Sequence, residues 1–189
     1  MLKSKGLQNR QRIIGVAQTL FHQKGFNQTS FSEIAEISGI PKGNFYYYFK
    51  SKDELLNEVI DTRLKALKGL MDKWVSEYQN PKDRLVSLLV FLEEKDEQAL
   101  RHGCPVGSLL VELAKSHPEL QLKALKLFEF GRGWLMQQFS EMGHAARAEE
   151  LAMELMIQIQ GAMVMAGSYD DKNILQSTHK RLLRWINEI

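Results

Sequence analysis

The sequence predicts an all-α protein of about nine helices. Three observations lead there. Apolar residues recur at i, i+3 or i+4, and i+7 nearly throughout. Helix-opening and helix-closing residues punctuate the runs, with Ser30, Ser51, Asn80 and Pro118 at starts and Gly25, Gly39 and Gly143 at breaks. No segment shows the two-residue alternation of a strand.

The elements follow in order. Ile13, Ile14, Ala17, Leu20 and Phe21 stripe a first helix that ends at Gly25. Ser30-Phe31-Ser32-Glu33 reads as a capping box, so a second, short helix carries Phe31, Ile34, Ala35 and Ile37 and stops at Ser38-Gly39. Ile40-Pro41 turns the chain into a third short helix from Lys42. A longer helix runs from Ser51-Lys52 to about Tyr78, with Leu55, Leu56, Val59, Leu67, Leu70, Met71 and Trp74 on one face. Asn80-Pro81 opens a helix bearing Leu85, Leu88, Leu89 and Leu92. Gly103-Cys104-Pro105-Val106-Gly107 interrupts before a helix that ends at Ser116, and Pro118 opens another reaching about Met142. Two final helices cover about 145–166 and 171–189.

Composition narrows the class. With 44% hydrophobic and 25% charged residues among 189, the chain can build one core, or a small head on a larger body. No uninterrupted apolar run approaches the roughly 18 residues that span a bilayer, and no hydrophobic stretch follows the basic N-terminus, so no membrane partner and a cytoplasmic location are expected. The single Cys104 has no internal disulfide partner, which fits a reducing compartment. The net charge of +2 is uneven: residues 1–52 hold eight Lys and Arg against two acids, for +6, whereas the remainder holds seventeen against twenty-one, for −4. A basic end on an acidic body suits a polyanion, although a solvated basic terminus has the same composition.

The chemistry is densest in residues 29–52. Two short helices joined through Gly39 have the form of a helix-turn-helix, whose second helix enters the major groove N-terminus first. Lys42 supplies charge for a phosphate or a guanine edge, and Asn44 matches the N6 and N7 of adenine. Gly43 costs a helix about 1 kcal/mol against alanine and lets a backbone come close to DNA. Tyr46, Tyr47 and Tyr48 cannot all be buried on one helix, and their hydroxyls suit phosphate. Thr29, Ser30 and Lys52 stand at helix starts, where free amides and side chains can meet phosphate together. Phe45 and Phe49, four apart, read as core.

The residues Gly25-Phe26, Thr29-Ser30-Phe31, Glu33-Ile34-Ala35, Gly39 through Phe49, Ser51-Lys52 and Leu55-Leu56 resemble the N-terminal signature of the tetracycline-repressor (TetR) family. Pro41 departs from the Ser or Thr common there. The resemblance implies a homodimer with two recognition helices in successive major grooves, and repression relieved by a small effector. It also implies that Lys42, Gly43, Asn44, Tyr46, Tyr48 and Lys52 lie at the DNA. Residues 1–52 are then the DNA-binding domain and 53–189 the effector-binding and dimerisation domain.

Within the body, Met71, Trp74, Phe91, Phe128, Trp134 and Met136 are candidates for a pocket that takes an apolar or aromatic effector. Leu151, Leu155, Ile159 and Met163, with Ile174, Leu182, Trp185 and Ile186, form two stripes that suit a dimer seam, though in a monomer they are simply core. The segment around Cys104 resembles a branch of the family with electrophile-sensing cysteines, which makes Cys104 a candidate effector or redox site; a free cysteine is more commonly inert. No catalytic residue, metal site or cofactor is expected: Ser177-Thr178-His179-Lys180 lacks companion motifs, the five histidines lack metal spacing, and no phosphate-binding glycine loop occurs. The competing functional class is a helical small-molecule-binding protein or enzyme whose basic end serves a protein partner.

Overall fold

The structure, a computed structural model, describes residues 2–93 and 101–189, with side chains described from residue 5. Lys3, one of the eight cations counted above, lies outside the described side chains. The described residues form nine α-helices: α1 Leu2–Gln23, α2 Phe31–Ile37, α3 Lys42–Tyr48, α4 Lys52–Glu77, α5 Pro81–Glu93, α6 Gly107–Ser116, α7 Pro118–Phe139, α8 Ala148–Tyr169 and α9 Lys172–Glu188. A wide turn, Ser140–His144, and a short 3₁₀ turn, Ala145–Arg147, join α7 to α8.

Local chemistry accounts for the starts and stops. Ser30 accepts from the Glu33 amide at the head of α2. Ser51 does the same for Glu54, whose carboxylate takes the Lys50 amide at 2.6 Å. Asn80 accepts from the Lys82 amide, with Pro81 at the first helical position where no N–H is needed. Asp171 accepts from the Asn173 amide and starts α9.

Two compact units divide the chain. The first comprises residues 1–65 and 108–126. The periodic stripe of α1 is buried in it as expected, together with Phe26, Ile34, Phe45, Phe49, Leu55 and Leu56. Arg10 ties α1 to α4 through a 2.8 Å ion pair with Glu58 and lies over the Phe49 ring.

The second unit comprises 66–107 and 127–189. Its core joins Met71, Trp74, Leu85, Leu89, Trp134, Phe139, Leu151, Leu155, Leu182 and Ile186. Arg84 is buried beside it and gathers four oxygens: Nε donates to the Tyr78 carbonyl, Nη2 to that of Gln79, and Nη1 to Gln138 Oε1 at 3.0 Å and Glu141 Oε2 at 2.6 Å. Arg101 makes a two-pronged pair with Asp170, the left-handed residue that closes α8.

Within Pro118–Tyr169, which the turns at 140–147 divide, an 18-residue window reaches a mean hydropathy of 1.2 with 39% of it buried, by length and composition enough to cross a membrane.

Candidate nucleic-acid interface

The turn between α2 and α3 works as its sequence suggests. Gly39 takes φ +64°, and the amides of Gly39 and Ile40 donate back to Glu36 and Ala35. Pro41 then supplies a carbonyl that accepts from Asn44 and Phe45, so proline opens α3 without a side-chain cap. Phe45 and Phe49 are buried, and Phe31 meets Phe45 edge-on at 4.7 Å. Anchoring these two rings fixes the rotation of α3 about its axis.

Everything else on α3 is left outside or at the rim. Lys42, Gly43 and Asn44 are exposed, Tyr46 is 55% exposed and Tyr47 79%. Tyr48 is half-buried, its hydroxyl accepting from Asn9 Nδ2 at 3.1 Å. A Cβ placed on Gly43 would meet nothing within 4 Å, so no packing in the protomer demands glycine there. Lys42 pairs with no acid among the described residues, whereas Lys24 is paired with Glu33 and Arg10 with Glu58. The +6 of the head therefore overstates its free charge. Lys50, not singled out from the sequence, is exposed beside the ridge, and its ammonium donates to the Tyr46 carbonyl.

Thr29 and Lys52 behave differently from expectation, whereas Ser30 caps α2 as its sequence suggests. Thr29 is 1% exposed and its hydroxyl donates to the Gly25 carbonyl at 2.7 Å, so it closes the turn before α2 and does not face outward. Ser30 is exposed, but its oxygen is engaged in capping, which leaves only its hydroxyl proton for an outside acceptor. The Lys52 ammonium is turned inward, donating to the carbonyls of Phe26 at 2.8 Å and Thr29 at 3.1 Å and lying 4.3 Å above the Phe26 ring. Desolvation there lowers its pKa below the usual lysine value, with Asp53 and Glu112 opposing the shift. Sequence spacing gave no sign of these partners, which lie 23 and 26 residues away.

In the second unit most pocket candidates converge. Met71, Trp74 and Trp134 are buried in the core, and Phe91, Cys104 and Met136 pack against it. Trp74 lies 5.9 Å from Phe91 and 5.8 Å from Trp134. Phe128 is half-buried beside Gly107, near Cys104 and Gln160. Cys104 is half-buried, and its sulfur accepts from the Gly107 amide at 3.4 Å, at the start of α6. The sequence did not mark His179 as core, yet it is buried; neither of its ring nitrogens, nor Trp134 Nε1, has a hydrogen-bond partner among the described residues.

The proposed dimer stripes are corrected. Leu151, Leu155, Ile159, Met163, Leu182 and Ile186 are buried within the single chain, and Ile174 and Trp185 pack against the same core, because α8 and α9 turn these faces towards each other. The exposed face of α8 is also apolar, with Met153, Ile157, Val164, Met165 and Tyr169; Ile157 is 63% exposed and Tyr169 69%. No group of three or more His, Cys, Asp or Glu that could hold a metal occurs among the described residues.

Comparison with known proteins agrees with this geometry. Residues 13–59 match the family model "Bacterial regulatory proteins, tetR family", and residues 85–181, more than half of the chain, match "Transcriptional regulator LmrA/YxaF-like, C-terminal domain". The chain is 28% identical over 172 residues to an HTH-type transcriptional regulator from the lacX 3′ region of Lactococcus lactis subsp. lactis, covering 89% of this chain and 88% of that protein. It is 26% identical over 173 residues to the HTH-type regulator YxaF of Bacillus subtilis, covering 88% and 89%. The crystal structure of a TetR-family regulator from Agrobacterium tumefaciens superposes with a TM-score of 0.84 at 19% identity, covering 94% of this chain and 97% of that one, a likeness of fold. These relatives are regulators and not enzymes, which removes the catalytic alternative. The protein belongs to the TetR family of helix-turn-helix, DNA-binding transcriptional regulators.

Proposed function

We propose that the protein is a cytoplasmic repressor that grips operator DNA as a homodimer, with α3 of each protomer in successive major grooves. One observation carries this: α3 buries Phe45 and its extended C-terminal cap residue, Phe49, while Lys42, Gly43, Asn44, Tyr46 and Tyr47 are left outside. A helix anchored on two rings, with a cation, an amide and phenols turned outward, suits base edges and phosphates better than it suits any packing role. DNA contact is assigned to residues 1–52, with Tyr48 and Ser30 at the edge of the ridge. Thr29 and Lys52 support it from inside. Residues 53–189 are assigned effector binding and pairing.

A small apolar or aromatic effector is placed at Met71, Trp74, Phe91, Trp134 and Met136, with Phe128 at the margin. Bound there, it moves α4 and spoils the match to half-sites about 34–36 Å apart. The exposed apolar face of α8 replaces the buried stripes as the dimer seam. Large apolar side chains facing water along three turns of one helix need a cover, and a second copy supplies it symmetrically.

The test is selection of operator from a randomised duplex pool, followed by titration at several salt concentrations. Affinity falls steeply as salt rises, and Asn44→Ala flattens base preference at one position of each half-site. Salt-insensitive binding, or an unchanged sequence profile for Asn44→Ala, refutes the assignment of this face.

A second reading makes Cys104 the trigger. It is favoured by the sulfur's position at the start of α6, half-buried and accepting from the Gly107 amide, beside residues assigned to the effector site. Cys104→Ser then binds operator normally but no longer responds to thiol-reactive compounds; a response equal to the parent's refutes it.

A further inference from the structure

We infer that Glu112 is a latch, a positioning residue that holds the turn between α1 and α2 and so sets the pose of the helix-turn-helix; this rests on the reading of α3 as the DNA-contacting helix. Glu112 Oε2 accepts from the Phe26 amide at 2.8 Å and Oε1 from the Asn27 amide at 2.7 Å. Two successive amides behind a left-handed residue make a concave anion seat. Here the seat is filled by the protein's own carboxylate, from a residue 85 and 86 positions away. Gly25, at φ +87°, is favoured by its left-handed backbone, and a Cβ there would crowd the two carboxylate oxygens at 2.9 and 3.0 Å and make them shift.

The same turn is held from its other side. Lys52 takes the Phe26 and Thr29 carbonyls, so the Phe26 residue has its N–H on an anion and its C=O on a cation. Asn27 Nδ2 adds a 3.0 Å bond to Ser116 Oγ, and the His117 ring meets Phe26 edge-on at 5.3 Å. Thr29 and Ser30 leave this clamp directly into α2, and α2 leads through four residues into α3. The orientation of α3 is therefore fixed by α6 as well as by α4, and any shift of Glu112 is felt at the recognition helix.

Glu112→Gln removes the charge and one acceptor while keeping the shape. Hydrogen bonds to a charged group are each worth enough to change an equilibrium about tenfold. In this variant exchange of the Phe26 and Asn27 amides accelerates about tenfold or more, and affinity for the operator selected by the parent falls about tenfold. The slope of affinity against salt stays unchanged, because no phosphate contact is lost. Gly25→Ala, which strains the turn and displaces the carboxylate, shows the same defect. Glu58→Gln, which loses the Arg10 pair but leaves the turn alone, serves as the control: it lowers the melting temperature without weakening the operator complex. Glu112→Gln or Gly25→Ala binding operator like the parent overturns the latch alone. It is equally overturned if Glu58→Gln, at matched loss of stability, weakens the complex as much. A parent that shows no salt-dependent operator binding instead refutes the reading of α3, and the latch's purpose with it.

Discussion

Replacing Gly43 by alanine should push stability and DNA affinity in opposite directions. Gly43 is the second residue of α3 and has an ordinary helical backbone, with open space where a Cβ would stand. Alanine is favoured over glycine by up to about 1 kcal/mol in a helix interior, and it also lowers the entropy of the unfolded chain. So near the helix start about 0.5 kcal/mol is a fair share of that gain. For a chain of this size that raises the melting temperature by about 1–2 °C. The methyl group faces away from the protomer, into the surface assigned to DNA. If it displaces a single charge-assisted phosphate contact, affinity drops about tenfold or more. Thermal melting and operator titration on one preparation read both effects. A variant that is more stable and binds operator as tightly as the parent refutes close approach at this point. A less stable one refutes the open space.

Three further outcomes are expected. Lys42→Ala weakens all sequences alike and reduces the salt slope by about one, read from titrations on operator and on random duplex; an unchanged slope removes Lys42 from the phosphate set. Ile157→Glu, placing a charge on the exposed face of α8, converts the dimer to monomer in sedimentation at micromolar concentration with helicity intact, and a dimer that survives moves the seam elsewhere. Burial lowers the pKa of His179, with Glu93 opposing, so the unfolded chain binds a proton at higher pH than the folded one does. Stability is then full above the unfolded value near 6.5 and falls as pH drops below it, by at most about 1.4 kcal/mol per pH unit for one proton. His179→Leu should flatten that slope in denaturant titrations from pH 7.5 to pH 5.5, and an unaltered slope would falsify the assignment.

Where a signal is local, the sequence was a sufficient guide. Ser30 and Glu33 are three apart and cap one helix; Phe45 and Phe49 are both core, although Phe49 stands just past the end of α3 in extended backbone; Gly39 takes the backbone its turn requires. The outward ridge Lys42–Tyr47 was legible because its neighbours Phe45 and Phe49 reveal which side is inside. What escaped depends on partners distant in the chain. Lys52 looked like a free cation at a helix start, yet its carbonyl partners stand before α2. Glu112 falls within the segment after Cys104 that carries the family resemblance, but nothing there points to amides 85 and 86 residues away. The seam failed for another reason: α8 is apolar on both faces, so periodicity cannot say which stripe the same chain consumes.

The corner between α4 and α5 is organised around a guanidinium that never loses its proton in water. Of the four oxygens gathered by Arg84, two are peptide carbonyls and one is the Gln138 amide; only Glu141 can be neutralised by acid. Lowering the pH therefore removes a single ligand from this joint and leaves three indifferent to it. Acid should loosen the body at His179 while this corner keeps three of its four bonds.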